Sequence, residues 1–174
     1  MTADKINNDS GFSLIELLVV VAIIGVLAAV GVVAFNGFIE NSKTKVCIAN
    51  HNTIEKTILA KYRECDFKDY LDLKNYHWNH KEGSKIKLSC NFGGSKRSFA
   101  SIADMVAKDL TNTLSDPWNP NAHYKYSIAT YKGCLSNKGQ TTIYPANNNM
   151  NQVRLCTKCS DDVPMHIDKI ISVE

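Results

Sequence analysis

Gly11-Phe12-Ser13-Leu14-Ile15-Glu16, followed by the apolar run Leu17–Phe35, decides how the rest of the chain is read. The run holds 19 residues without a charge or a strong polar group. As a helix rising about 1.5 Å per residue it reaches roughly 28 Å, the thickness of a hydrocarbon core. It therefore reads as a transmembrane helix. At its mouth, four residues after Phe12, stands a single carboxylate, Glu16. A charge costs ~2.5–3.5 kcal/mol at a bilayer centre and less near the end of a span. Something should compensate it.

The stretch G-F-S-L-I-E-L-L-V-V-V-A-I-I-G-V-L-A-A, from Gly11 to Ala29, resembles the N-terminus of type IV pilins and type II secretion pseudopilins. The resemblance runs from residue 11 to about residue 50. It implies that a prepilin peptidase cuts after Gly11 and methylates the new N-terminus at Phe12, and that Glu16 steers the subunit into a helical filament of pilins. It also implies a pilin-like α+β fold, with a long N-terminal helix packed on a small antiparallel sheet. Beyond residue 50 only architecture carries over.

Three plainer readings compete. Ser13-x-x-Glu16 fits a capping box, with Ser13 as N-cap and Glu16 reaching back, and this is compatible with the family reading. An ordinary secretory signal would use Leu17–Leu27 as apolar core and Ala29-Val30-Gly31 as cleavage site. Against it, one lysine, Lys5, stands beside Asp4 and Asp9 in the n-region, and cleavage would leave Val32-Val33-Ala34-Phe35 exposed. A plain membrane anchor leaves Glu16 unexplained.

The chain has 174 residues, and 139 remain after the apolar run, enough for one domain with its own core. It is 44% hydrophobic and 21% charged, which excludes a disordered chain. The net charge of +3 becomes +4 once Asp4, Lys5 and Asp9 leave with the leader. That balance is too mild to argue for nucleic-acid binding.

Cys47, Cys65, Cys90, Cys134, Cys156 and Cys159 all follow the apolar run. An even set on an exported domain points to disulfides, and six cysteines allow about fifteen pairings. The rival is a metal site built from Cys156-x-x-Cys159 and His77-x-x-His80. Lys43 and Lys45 after the run, against Lys5 before it, would by themselves keep the body in the cytoplasm. The cysteines and the resemblance require the periplasmic side, and a long C-terminal domain crosses against so small a bias.

Taken in order, residues 1–11 form a leader, 12–35 the membrane and filament-core helix, 36–65 its amphipathic continuation, and 66–174 a globular head. Cys47, Ile54, Ile58, Tyr62 and Cys65 fall on one side of the continuation; Asn50, Glu55, Lys56, Lys61 and Arg63 fall on the other. Residues 66–100 read as irregular, with aromatics and lysines interleaved. They are either loops whose aromatics plug the core or a platform for single-stranded nucleic acid. Ser101-x-x-Asp104 starts a short helix over about 102–112. Asp116-Pro117-Trp118-Asn119-Pro120 is a turn that resembles the one preceding the sheet in major pseudopilins, with Trp118 as a core plug. Short strands follow at Tyr124–Tyr131, Thr141–Tyr144, Val153–Thr157 and Ile167–Val173, forming an antiparallel sheet.

No phosphate loop, G-x-S-x-G, H-E-x-x-H or paired carboxylate suggests catalysis, and no cofactor is expected. The sequence predicts a type IV pilus subunit held in the bacterial inner membrane with its head in the periplasm, later part of an extracellular filament. A type II secretion pseudopilin and a minor tip subunit that captures DNA or a surface are the alternatives.

Overall fold

The computed structural model describes residues 11–76, 84–111, 113–119, 128–129, 133–134, 137–161 and 166–173. The leader through Ser10, His77-x-x-His80 and most of the expected strand at 124–131 lie outside them. Helix α1 spans Leu14–Glu64 without a break. No proline occurs before Pro117, so no carbonyl in α1 loses its donor. Two compact units divide the chain, residues 1–41 and 42–174.

In the first unit every residue from Gly11 to Asn41 is exposed. In the second, α1 buries Cys47, Ile54, Ile58 and Tyr62 along one stripe. Asn50 and His51 are buried with them, which corrects the assignment of Asn50 to the solvent side. The amide of Asn50 donates to the Ser115 carbonyl at 3.0 Å, so its burial leaves no unpaired donor there. Ile54 and Ile58 have no exposed surface, and each contributes about 1.5–3 kcal/mol by leaving water.

The segment expected to be irregular contains two hairpins. Strands β1 (Tyr70–Tyr76) and β2 (Ser84–Ser89) pair antiparallel, and the short strands β3 (Asn91–Phe92) and β4 (Ser95–Lys96) pair beside them in sequence. Leu71, Leu73 and Leu88 enter the core from the inner face of β1–β2. Helix α2 (Phe99–Leu110) begins three residues earlier than Ser101-x-x-Asp104 suggested. Its N-cap is Ser98, whose Oγ accepts from the Ser101 amide at 3.3 Å. Asp104 instead pairs with Lys108 one turn on, at 2.7 Å.

Strands β5 (Ile128–Ala129), β6 (Thr141–Ala146), β7 (Asn149–Lys158) and β8 (His166–Ser172) form a sheet in that order. β6–β7 and β7–β8 are antiparallel, but the short β5 runs parallel to β6, a departure from a purely antiparallel sheet. Asn147 and Asn148 join β6 to β7 with φ of 52° and 56°, a left-handed conformation that asparagine tolerates. Ile143, Val153, Leu155 and Ile171 meet α1 and α2 in one core. At its centre the Tyr62 and Phe99 rings pack edge to face with centroids 5.1 Å apart.

Three disulfides hold this unit: Cys47–Cys159, Cys65–Cys90 and Cys134–Cys156, with Cα–Cα separations of 5.6, 5.4 and 5.5 Å. Cys156 and Cys159 therefore close different bridges, and the C-x-x-C metal reading is overturned. Cys47–Cys159 spans 112 residues, the longest closure and so the largest restriction of the unfolded chain.

Beside that bridge His51, 1% exposed, shares a 2.8 Å hydrogen bond between Nδ1 and Thr157 Oγ1, which lies 2.8 Å from Thr141 Oγ1. Its Nε2 is buried without a partner among the described residues. Burial holds the imidazole below its usual range, opposed by Glu55 and Asp168 and reinforced by Lys169. The folded state thus binds the proton more weakly than the unfolded chain. Stability is expected to be full above about pH 7 and to fall as pH drops through ~6.5, the ordinary histidine value. Urea midpoints of wild type and His51→Gln between pH 8 and 5, about that value, check this: the variant should lose most of the slope.

Candidate functional site

Helix α1 starts at Leu14 because Ser13 caps it. The Ser13 Oγ accepts from the Glu16 amide at 3.3 Å. In return Glu16 Oε2 accepts from the Ser13 amide at 2.8 Å and from the Ser13 hydroxyl at 2.9 Å. This is a reciprocal capping box, and it satisfies donors that a helix start otherwise leaves open. All of it engages one oxygen of the carboxylate. Oε1 has no partner among the described residues.

Around this carboxylate nothing is sheltered. Phe12 is 87% exposed, and the apolar side chains from Leu14 to Phe38 are exposed too. The helix is long and apolar enough to cross a membrane. Along it, an added Cβ at Gly25, Gly31 or Gly37 would meet nothing within 4 Å. The chain's own packing does not require glycine at these positions, although each weakens the helix by about 1 kcal/mol relative to alanine. Gly11, Phe12 and Glu16 thus sit together at the start of an unpartnered hydrophobic surface.

The chain carries the prokaryotic N-terminal methylation motif. Residues 6–32 match the family of that description, the hallmark of type IV pilins and pseudopilins. The match includes the Gly11-Phe12 junction, Glu16 and most of the apolar run, and it ends before the head. No solved structure matches the chain. The motif supports a type IV pilin-like or pseudopilin protein. Motifs of this kind imply processing by prepilin peptidase and assembly with other pilin subunits.

In the head, the Asp116 turn forms as its residues dictate. Asp116 is buried, and its Oδ1 accepts from the amides of Trp118 at 2.8 Å and Asn119 at 3.2 Å. Gly139 closes over it with φ of 77°, and a Cβ there would stand 2.5 Å from Asp116 Oδ1, so only glycine fits. Trp118 is half-buried rather than a full core plug, with Lys138 Nζ 5.7 Å from its ring centre. Among the described residues no three His, Cys, Asp or Glu side chains gather as a metal site.

Sequence reasoning missed Asn50 and His51 as buried polar anchors of α1. The signal was present: they lie three and four residues after Cys47, on the buried side of α1. For the helix start, Ser13→Ala removes both hydroxyl interactions and should cost about 1 kcal/mol locally. In detergent micelles, amide exchange at Ile15–Leu17 is expected to quicken roughly five-fold while exchange in the head is unchanged.

Proposed function

We propose that this protein is a structural subunit of a type IV pilus, cut after Gly11, methylated at Phe12 and drawn into the filament through α1. The observation that carries the reading is that Glu16 Oε1 has no partner among the described residues, at the head of a helix whose apolar side chains are exposed as far as Ile39. Cleavage after Gly11 would create an amine cation on Phe12, and methylation would keep it charged. Glu16 lies four residues on, about 6 Å along the axis. A neighbouring subunit displaced by about one turn sets its amine beside Oε1, while Oε2 keeps the helix cap. Two unit charges ~4 Å apart at an effective dielectric of ~20 attract by about 4 kcal/mol before desolvation. That is comparable to the cost of a lone carboxylate in lipid, so assembly relieves what the isolated subunit bears.

The exposed glycines fit the same reading, since small residues let helices approach closely where lipid is displaced. Heterologous contacts that do not close a ring then propagate as a filament. The subunit would wait in the inner membrane with its disulfide-bonded head in the periplasm. A type II secretion pseudopilin is the second reading, supported by the Asp116-Pro117-Trp118 turn.

Intact mass of membrane-extracted protein should correspond to a chain starting at N-methylated Phe12, and Gly11→Val should leave the precursor uncut. A start at Met1 or Val32 in the wild type would refute the processing.

Glu16→Leu should insert and be cleaved normally yet yield essentially no sheared filament. Normal filament yield from that variant would show that Glu16 serves its own helix cap alone.

A further inference from the structure

The aromatics between residues 66 and 100 have two readings, and the structure separates them for the described rings; Trp78 and the Tyr76 side chain lie outside the description. Phe99 is fully buried, but Phe67, Tyr70 and Phe92 are 89%, 55% and 73% exposed. These three rings plug nothing. The Cys65–Cys90 bridge brings their backbones to one place: Phe67 lies two residues after Cys65, and Phe92 two after Cys90. Tyr70 adjoins Asp69, whose carbonyl accepts from the Cys90 amide at 2.7 Å.

From this cluster the outer face of β1–β2 leads away. Leu71, Leu73 and Leu88 point into the core, so the alternation turns Lys74, Lys85 and Lys87 outward, and all three are exposed. None of them is ion-paired among the described residues. Lys85 and Lys87, two residues apart on one strand, stand about 6.8 Å apart. A cavity of about 440 Å³ borders the hairpin with all three lysines in its lining. Asp72 stands on the same face directly across from Lys87 and shares the cavity lining, Asp69 precedes β1, and Asp66 is held by Lys96. Arg97 lies over the Phe92 ring, 5.0 Å from its centre, adding a cation beside an exposed π surface.

We propose that this face of the head binds single-stranded nucleic acid, with the three lysines along the phosphates and the exposed rings stacking on bases. Rows of cations beside exposed rings are what a sequence-tolerant single-strand platform needs. A duplex keeps its bases stacked on one another and offers the rings nothing. The proposal stands apart from the filament reading, because it is measured on the isolated subunit.

The test uses the full chain in nonionic detergent micelles and a fluorescent oligothymidylate of about 20 nucleotides, long enough for several contacts. The matched duplex and anionic lipid vesicles serve as competitors. The single strand should bind at least about ten-fold tighter than the duplex, and more weakly as salt rises. Lys85→Gln with Lys87→Gln should reduce the log–log salt slope by about 1.4. Tyr70→Ala and Phe92→Ala should each weaken binding by about 5- to 100-fold. Unreactive thiols in every variant would show that the disulfide-bonded head is intact. No binding at low salt, equal affinity for duplex, full displacement by vesicles, or ring variants that bind like wild type would each overturn the proposal.

Discussion

An α-helix satisfies its own backbone, and this protein depends on that fact more than on any side-chain contact. Lipid offers no partner for a bare amide or carbonyl, whereas water and a packed core both do. One uninterrupted helix, Leu14–Glu64, therefore serves in both settings, with only its side chains changing. Through Asn41 they are exposed all round and almost entirely apolar; from Cys47 to Tyr62 one stripe is buried. The capping box at Ser13 and Glu16 extends the same economy to the helix start, where satisfying the first donors occupies only one carboxylate oxygen.

The head solves a different problem. Its sheet and hairpin are small, and no single layer buries enough apolar surface alone. Tyr62, Phe99, Leu73, Leu155 and Ile171 come from five separate elements into one cluster. The three bridges then restrict the unfolded chain where the core is thin. Polar anchors complete it: Asn50 on the Ser115 carbonyl ties the helix to the loop after α2, and His51 on Thr157 ties it to β7, by directional bonds that apolar packing lacks.

What was legible in the sequence follows from how local the cause is. The apolar run and the Ser13–Glu16 spacing are local, and the structure shows both the helix and the box. The alternation Leu71-Asp72-Leu73-Lys74 was also local, but interleaved lysines and aromatics hid a hairpin with one face in solvent. Ser98 lost to Ser101 as the helix start because Asp104 completed a capping pattern, while in space Lys108 claims that carboxylate. Cystine pairing and the parallel register of β5 are set by distant segments meeting, and no spacing rule reaches them. Family resemblance reached the N-terminal segment and, beyond it, only the Asp116–Pro120 turn, while the family match itself is confined to residues 6–32.

The Cys47–Cys159 bridge has a mechanical consequence. Its two ends stand 112 residues apart in sequence, enclosing nearly the whole head. Tension entering through α1 and leaving near the C-terminus passes across the covalent link and bypasses everything between. Roughly 390 Å of contour length, at about 3.5 Å per residue, is thus withheld from any pull. A chain loaded this way can extend only outside the bridge, in the part of α1 before Cys47 and in the segment after Cys159, so the cystine acts as a strain limiter whether or not the core beneath it holds.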